Sequence, residues 1–283
     1  MVNLLYLLAV ILGVSGQSIA KKPYTQRFGG EGSYSFVALS AAAAFVFFAV
    51  LTPAPQFNAA FLPYAVGFAA AYVTSSVFTI LAIAYGSLSL SSLVVSYSLL
   101  LPTLYGVLVL HDPLGVGFFP GLLLLAISLF LINKGTGITK PTLKWTVCAA
   151  LAFVGNGMCT VVQKMQQVRF DGAYKSEFMM VSLALVFVVM LAFSGVKERK
   201  NVVHYVKHGW YRALIVGGLN GMVNLFVMIL SNRMPVSLLF PFVSAGGLIV
   251  TYLVARFWYK EPLRRSQLIG FVCGIASVVF LNL

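Results

Sequence analysis

The sequence predicts an all-α polytopic membrane protein: ten transmembrane helices arranged as two inverted five-helix repeats. Three observations carry this reading. The chain is 60% hydrophobic and only 9% charged, whereas soluble domains carry roughly 25% charged residues. Its apolar residues fall into ten long runs. The corner His111-Asp112-Pro113-Leu114 also returns near the end of the chain as Lys260-Glu261-Pro262-Leu263.

A membrane helix needs about 20 mostly apolar residues. In order, the runs cover residues 2–20, 33–52, 62–84, 88–110, 116–132, 143–163, 178–195, 212–231, 235–258 and 266–283. Gly, Ser and Pro interrupt several of them, which membrane helices tolerate better than soluble ones. A membrane barrel would show alternating segments of roughly ten residues, and these runs do not alternate. The first run is expected to remain a helix, because Met1-Val2-Asn3 carries no Lys or Arg of the kind that opens a cleaved leader.

The duplication extends beyond the corners. Gly13, Lys22, Arg27, Phe28, Gly30 and Phe36 match Gly155, Lys164, Arg169, Phe170, Gly172 and Phe178 in constant register. After the corners, Gly121, Ser128 and Asn133 match Gly270, Ser277 and Asn282. The small register difference between these sets is absorbed by the connection from Val196 to Trp210. The repeats are expected at residues 1–138 and 139–283. Five spans is an odd number, so the second copy enters the membrane inverted. Inverted repeats characterise secondary transporters, whose sites lie near the midplane where the repeats meet.

The net charge is +13, from 19 Lys and Arg against 6 Asp and Glu. The cations sit between the spans, so they read as a topology signal and not as a nucleic-acid surface. Connections after spans 1, 5, 7 and 9 hold Lys21, Lys22 and Arg27; Lys134, Lys140 and Lys144; Lys197, Arg199, Lys200 and Lys207; and Arg256, Lys260, Arg264 and Arg265. The other connections hold only Lys164, Arg169, Lys175 and Arg233. The basic set is expected in the cytoplasm, with both termini outside. Cys148, Cys159 and Cys273 are isolated within apolar runs, which indicates packing and neither a disulfide nor a metal site.

Ten spans in two five-span halves, each with an acidic corner between its fourth and fifth span, resemble the drug/metabolite transporter (DMT) superfamily, and within it the EamA-like members. Their usual corner is Gly-Glu followed by an apolar residue, close to Lys260-Glu261-Pro262-Leu263 and looser at His111-Asp112-Pro113-Leu114. The resemblance implies a bacterial plasma (inner) membrane and a cavity lined by the first, third and fourth spans of each half. The fifth spans would be scaffold. It also implies alternating access, often with export of small polar or amphipathic metabolites. Two features depart from the pattern. Such transporters usually keep both termini in the cytoplasm, with basic residues after the second span and at the C-terminus. Here the connection from Thr52 to Pro63 has no charge and the chain ends Leu281-Asn282-Leu283. Members often carry a Pro one helix-length before the corner acid, but Pro102 and Pro241 sit elsewhere.

Polar side chains in lipid are costly unless paired or wet. Asn220 and Asn224 share one face of span 8, beside Gly217 and Gly221. They read either as cavity lining or as amides gluing closely packed helices. Asn156, Thr160 and Gln163 share a face of span 6, and Gln17 and Ser18 sit at similar depth in its repeat partner, span 1. These face the expected cavity, the alternative being an interhelical hydrogen bond. In span 3, Tyr64 suits the interfacial belt and Tyr72 lies deeper. Ser89, Ser92 and Ser96 form a stripe in span 4 beside Tyr97 and Ser98, open to binding or to bonds with their own backbone. Ser237, Pro241 and Ser244 share a face of span 9, where the Pro and the Gly246-Gly247 pair mark a bend. The candidate substrate-binding set is Gln17, Tyr72, Ser96, Tyr97, Asn156, Thr160, Asn220, Asn224 and Ser244. Gly117 and Gly121, like Gly270 and Gly274, suit tight packing within a monomer, or else a homodimer contact. Lys21, Lys22 and Lys164 lie at span ends and read as snorkelling cations, with an anion at the cavity mouth as the alternative.

Phosphate-binding loops, metal-ligand clusters and buried Asp/His pairs are missing from the sequence. Neither an enzyme nor a cofactor nor a resident metal is expected. All six acids lie in or beside connections, which favours facilitation or exchange over proton coupling. The expected partners are a small-molecule substrate and the lipid bilayer, with no nucleic acid. The leading function is a secondary transporter of a small polar or amphipathic metabolite, an exporter, facilitator or exchanger. A lipid or amphiphile translocator would also suit the 23 Phe and 13 Tyr. A non-transporting scaffold or sensor would have a packed midplane.

Overall fold

The computed structural model describes residues 2–28, 30–85, 91, 94–95, 97–133, 142–257 and 265–281. These residues form ten α-helices: α1 (Val2–Phe28), α2 (Ser33–Leu51), α3 (Leu62–Tyr85), α4 (Leu100–Leu108), α5 (Phe118–Asn133), α6 (Leu143–Arg169), α7 (Lys175–Lys197), α8 (Val202–Ser231), α9 (Val236–Phe257) and α10 (Arg265–Leu281). Helices α1, α2, α3, α6, α7 and α8 are long and apolar enough to cross a membrane. Shorter apolar stretches lie within α5, α9 and α10. The outer faces present large hydrophobic side chains, among them Leu4, Val50, Val188 and Val272. Soluble monomers rarely expose contiguous apolar surface on this scale; here it suits lipid.

One expected element is corrected. Residues 88–110 do not form one continuous helix, because a turn at Ser98 and Leu99 precedes α4. Pro102 has no N–H to give the carbonyl one turn back, and the Ser98 hydroxyl bonds the Val95 carbonyl at 2.6 Å in competition with the backbone. By contrast, α9 runs unbroken through Pro241.

Helix packing joins the two halves more than it joins neighbours within a half. Helix α1 packs on α8 and α9, and α6 packs on α3 and α4. Helix α2 crosses α7 and α8, α3 also meets α7, and α5 lies against α10. Glycines allow the closest approaches. A Cβ on Gly155 would sit 2.6 Å from the backbone nitrogen of Ser75, and one on Gly13 would sit 2.5 Å from Val223. Gly217 and Gly221 seat α8 against Ser40 and Phe47 of α2. Where lipid is as apolar as the side chains, such close backbone contact is what holds helices together. Gly274 meets Ser128 of α5, which accounts for small residues on those helices by packing within one chain. The largest core unites α2, α3 and α7 around Phe48, Phe68, Phe178 and Met190.

Two acids tie helix ends across the halves. Glu198, beyond the end of α7, accepts the Tyr34 and Ser35 amides at the start of α2 at 2.8 and 3.0 Å, and also the hydroxyls of Ser35 and Ser194. Asp112 accepts the Ser237 amide at 2.8 Å, at the start of α9. The first four N–H groups of a helix lack internal partners and carry partial positive charge, so a carboxylate there is stabilising. The Asp112 corner is thus an anchor on the other half as well as a turn. The Lys260 corner lies outside the described residues.

Candidate functional site

A cavity of about 590 Å³ lies at the centre of the helices, within the usual 300–1,000 Å³ of small-molecule sites. From α1 come Val14, Gln17, Ser18 and Lys21; from α6 come Asn156, Cys159, Thr160 and Gln163, with identical spacing. Phe68, Tyr72 and Ser76 of α3 are likewise spaced as Val216, Asn220 and Asn224 of α8. These intervals of three and four residues put each set on one helix face. Val95 and Leu99 enter from the segment before α4, and Phe240, Val243, Ser244 and Gly247 from α9. Helix α2 adds Phe36, Val37 and Ser40. Among the described residues, none of the lining comes from α5 or α10.

A chain of amides crosses this space. Gln163 Nε2 donates to Asn224 Oδ1 at 2.7 Å and approaches Met179 Sδ at 3.6 Å. Asn224 Nδ2 donates to the Asn220 backbone carbonyl at 2.8 Å and to Asn220 Oδ1 at 2.9 Å. Asn220 Nδ2 then reaches Gln17 Oε1 at 3.4 Å. Elsewhere in the wall, Asn156 Nδ2 donates to the Ser98 hydroxyl at 2.6 Å, and the Thr160 hydroxyl to the Gly157 carbonyl at 2.8 Å.

The two ends of the cavity differ in access. Ser18 and Lys21 are exposed, and both line the cavity. At the other end Gln163, Gln166 and Gln167 are buried. Gln167 is bonded to Gln166 and accepts from Asn232 Nδ2 at 3.2 Å, and Gln166 donates to the Ala173 carbonyl at 2.9 Å. Lys164 donates to the Ser231 carbonyl at the end of α8. Phe170 and Tyr174 stack edge-on, with Tyr64 and Phe61 beside them. The cavity therefore opens towards the α1–α2 end and is sealed towards the α6–α7 end.

Residues 143–283 match the sequence pattern of the EamA-like transporter family. Through this half the chain belongs to the EamA-like transporter family. It is a multi-pass membrane transporter of the drug/metabolite transporter kind. A stretch of 74 residues is 26% identical to the multidrug resistance protein EbrA of Bacillus licheniformis, covering 26% of this chain and 70% of that protein. A protein of known crystal structure superposes with a TM-score of 0.78 at 15% identity, over 98% of this chain and 95% of that one. This last likeness speaks to the fold alone.

In this EamA-like transporter, Gln17, Tyr72, Asn156, Thr160, Asn220, Asn224 and Ser244 all line this cavity. Tyr97 does not: its hydroxyl donates to the Ala126 carbonyl of α5 at 2.7 Å. Tyr97 lies two residues from Val95, which does line the cavity, so helical period points it to the opposite side. Ser96 lies outside the described residues. At span 8 the two sequence readings separate by residue. Gly217 and Gly221 pack on α2 while Asn220 and Asn224 face the cavity. Lys164 is tied to a carbonyl and does not snorkel. Cys159 lines the cavity as well as packing in the core. Lys21, Gln163, Ser76, Ser40 and Phe36 belong to the wall but not to the candidate set. The matched spacing of α1 and α6 was the available signal for Lys21 and Gln163. Ser40 and Phe36 had none, since the resemblance excludes the second span.

Proposed function

We propose that the chain is a secondary transporter that moves a small polar or amphipathic metabolite by alternating access, built from inverted repeats at residues 1–138 and 139–283. The observation that carries this is the central cavity, mostly apolar with a row of amides across it, whose walls include equally spaced sets from α1 and α6 and from α3 and α8. Exchanging the halves exchanges nearly every helix contact with another observed contact: α1 on α8 and α9 for α6 on α3 and α4, and α2 on α8 for α7 on α3. Yet one end is open and the other sealed. Two like units held in unlike conformations can swap roles, which carries the opening to the opposite face. A non-transporting scaffold would fill such a midplane.

The open end is the one flanked by Lys21, Lys22, Lys197 and Lys207. By the positive-inside rule this face is cytoplasmic, so the cavity loads from the cytoplasm and export follows. Both termini then lie outside, in a plasma membrane. A cysteine introduced at exposed Gln56, in the connection on the sealed face, should be labelled by impermeant reagents on intact cells; protection there reverses the orientation.

Uptake of a metabolite panel into proteoliposomes tests the transport reading. Saturable uptake that needs no pH gradient and is lost in Asn224→Leu is expected. Uptake matching that of empty vesicles, or untouched by Asn224→Leu, overturns it.

A further inference from the structure

The amide chain has a fixed polarity, and its direction names the charge of the ligand. Asn224 Nδ2 faces a backbone carbonyl, that of Asn220. A carbonyl only accepts, so the Asn224 amide has one permitted orientation. Its Oδ1 must face Gln163, which must present Nε2. The same Asn224 Nδ2 meets Asn220 Oδ1, which turns Asn220 Nδ2 towards Gln17 and draws out Gln17 Oε1. One main-chain oxygen thus orients every amide in the series. The chain ends on Gln17 Nε2, a donor with no partner among the described residues.

Lys21 stands one helical turn from Gln17 on the same face of α1 and lines the same cavity. Its ammonium also has no partner among the described residues. At the corresponding place on α6 stands Gln163, neutral, buried and bonded. The open end of the cavity therefore gathers unpaired donors beside a cation. The described lining holds no carboxylate to oppose them. Phe36 and Val37 of α2 supply apolar wall at this end.

Resting on the transporter reading, we propose that the cavity selects small organic anions, a carboxylate on an apolar body, held by Lys21 Nζ and Gln17 Nε2. The carboxylate accepts from both groups, and the body lies against Phe36 and Val37. Charge-assisted hydrogen bonds of this kind are about twice as strong as neutral ones. An amine of the same shape would instead meet a like charge and a second donor.

The test is equilibrium binding to the full chain in lipid nanodiscs, with phenylacetate, phenylacetamide and phenethylamine as probes. Phenylacetate should bind at least about tenfold more tightly than phenylacetamide, with phenethylamine weakest. Lys21→Met should erase the difference between acid and amide, and Lys21→Arg should keep it. Lys207→Met, which removes one exposed charge from the same end of the fold, should leave it unchanged. Equal binding of acid and amide, preference for the amine, or full selectivity in Lys21→Met overturns the proposal. Proteoliposome uptake separates it from the transporter reading. Selective binding of phenylacetate without any uptake sinks transport and leaves the anion site standing. Uptake of neutral or cationic probes in preference to phenylacetate does the reverse.

Discussion

Lys21 and Gln163 each come last in equally spaced sets of wall residues on α1 and α6, yet they do opposite things. Gln163 is buried and bonded to Asn224 across the sealed end. Lys21 is exposed to the cavity at the open end. Around Gln163 the neighbouring polar groups are spent on one another: Gln166 on Ala173, Gln167 on Asn232, Lys164 on Ser231. Around Lys21 the bonds lie further out, where Glu198 holds the start of α2, the Tyr24 hydroxyl holds the Gly32 carbonyl at 2.9 Å, and Tyr205 bonds Glu31 at 2.9 Å. The difference teaches that two equally spaced sets of wall residues can be locked at one end by making their polar groups pair internally and left open at the other by sparing them.

The strongest way to break this contrast is to move the cation. Gln163→Lys puts an ammonium into the sealed wall and removes the amide bonded to Asn224; a loss of about 3 kcal/mol is expected, from the cost of an uncompensated buried charge, read as a lowered midpoint of thermal unfolding in detergent. Next, Glu198→Ala withdraws an ionised acceptor from two backbone amides and two hydroxyls. About 2–4 kcal/mol should be lost, with faster hydrogen exchange confined to the start of α2. Retained protection there would show that α2 is fixed by packing alone.

Gly155→Val drives a side chain into the backbone of α3 near Ser75. Overpacking of this kind costs about 1–3 kcal/mol, and because α3 and α6 form the wall, binding should weaken along with stability. Asp112→Ala removes the cap on α9 at the sealed end, for about 1 kcal/mol; increased cysteine accessibility at Gln163→Cys in this background would show that the cap helps hold the seal. The smallest effect belongs to Lys21→Gln, which makes the two ends alike in charge. An exposed side chain without partners should change stability by no more than about 0.5 kcal/mol, so unfolding midpoints should coincide with those of the wild type while binding selectivity shifts. A large destabilisation would mean that Lys21 holds the fold together.

Much of the wall was legible in the sequence. Asn220 and Asn224 are one turn apart, as are Asn156 and Thr160, so helical period alone put each pair on one face. The cost of amides in lipid turned that face inwards. Tyr97 does not reach the cavity because Val95 does: two residues along a helix turn a side chain to the other side, where the Tyr97 hydroxyl meets the Ala126 carbonyl. The second-span residues Phe36, Val37 and Ser40 reach the cavity only because it opens on the α2 side, while the buried face of α7 holds Phe178, Met179 and Ser182. That asymmetry is a property of the conformation, which no repeat in the sequence records.

The repeated corners show the same division. Composition and run length by themselves determined that the chain lives in a membrane as helices, because an apolar run must satisfy its own backbone there. Residue spacing determined which side chains share a face. Only the tertiary structure decided which of them are spent and which are free. Asp112 acquires its role from Ser237, Glu198 from Tyr34 and Ser35, and Gln163 from Asn224. Each partner comes from a helix distant in the chain, and hydrogen bonding depends on position in space, which spacing along one helix does not specify. The lysine at residue 21 could be read from the sequence as a cation at a span end; that it faces an open cavity beside the last donor of an oriented amide chain is a fact of packing.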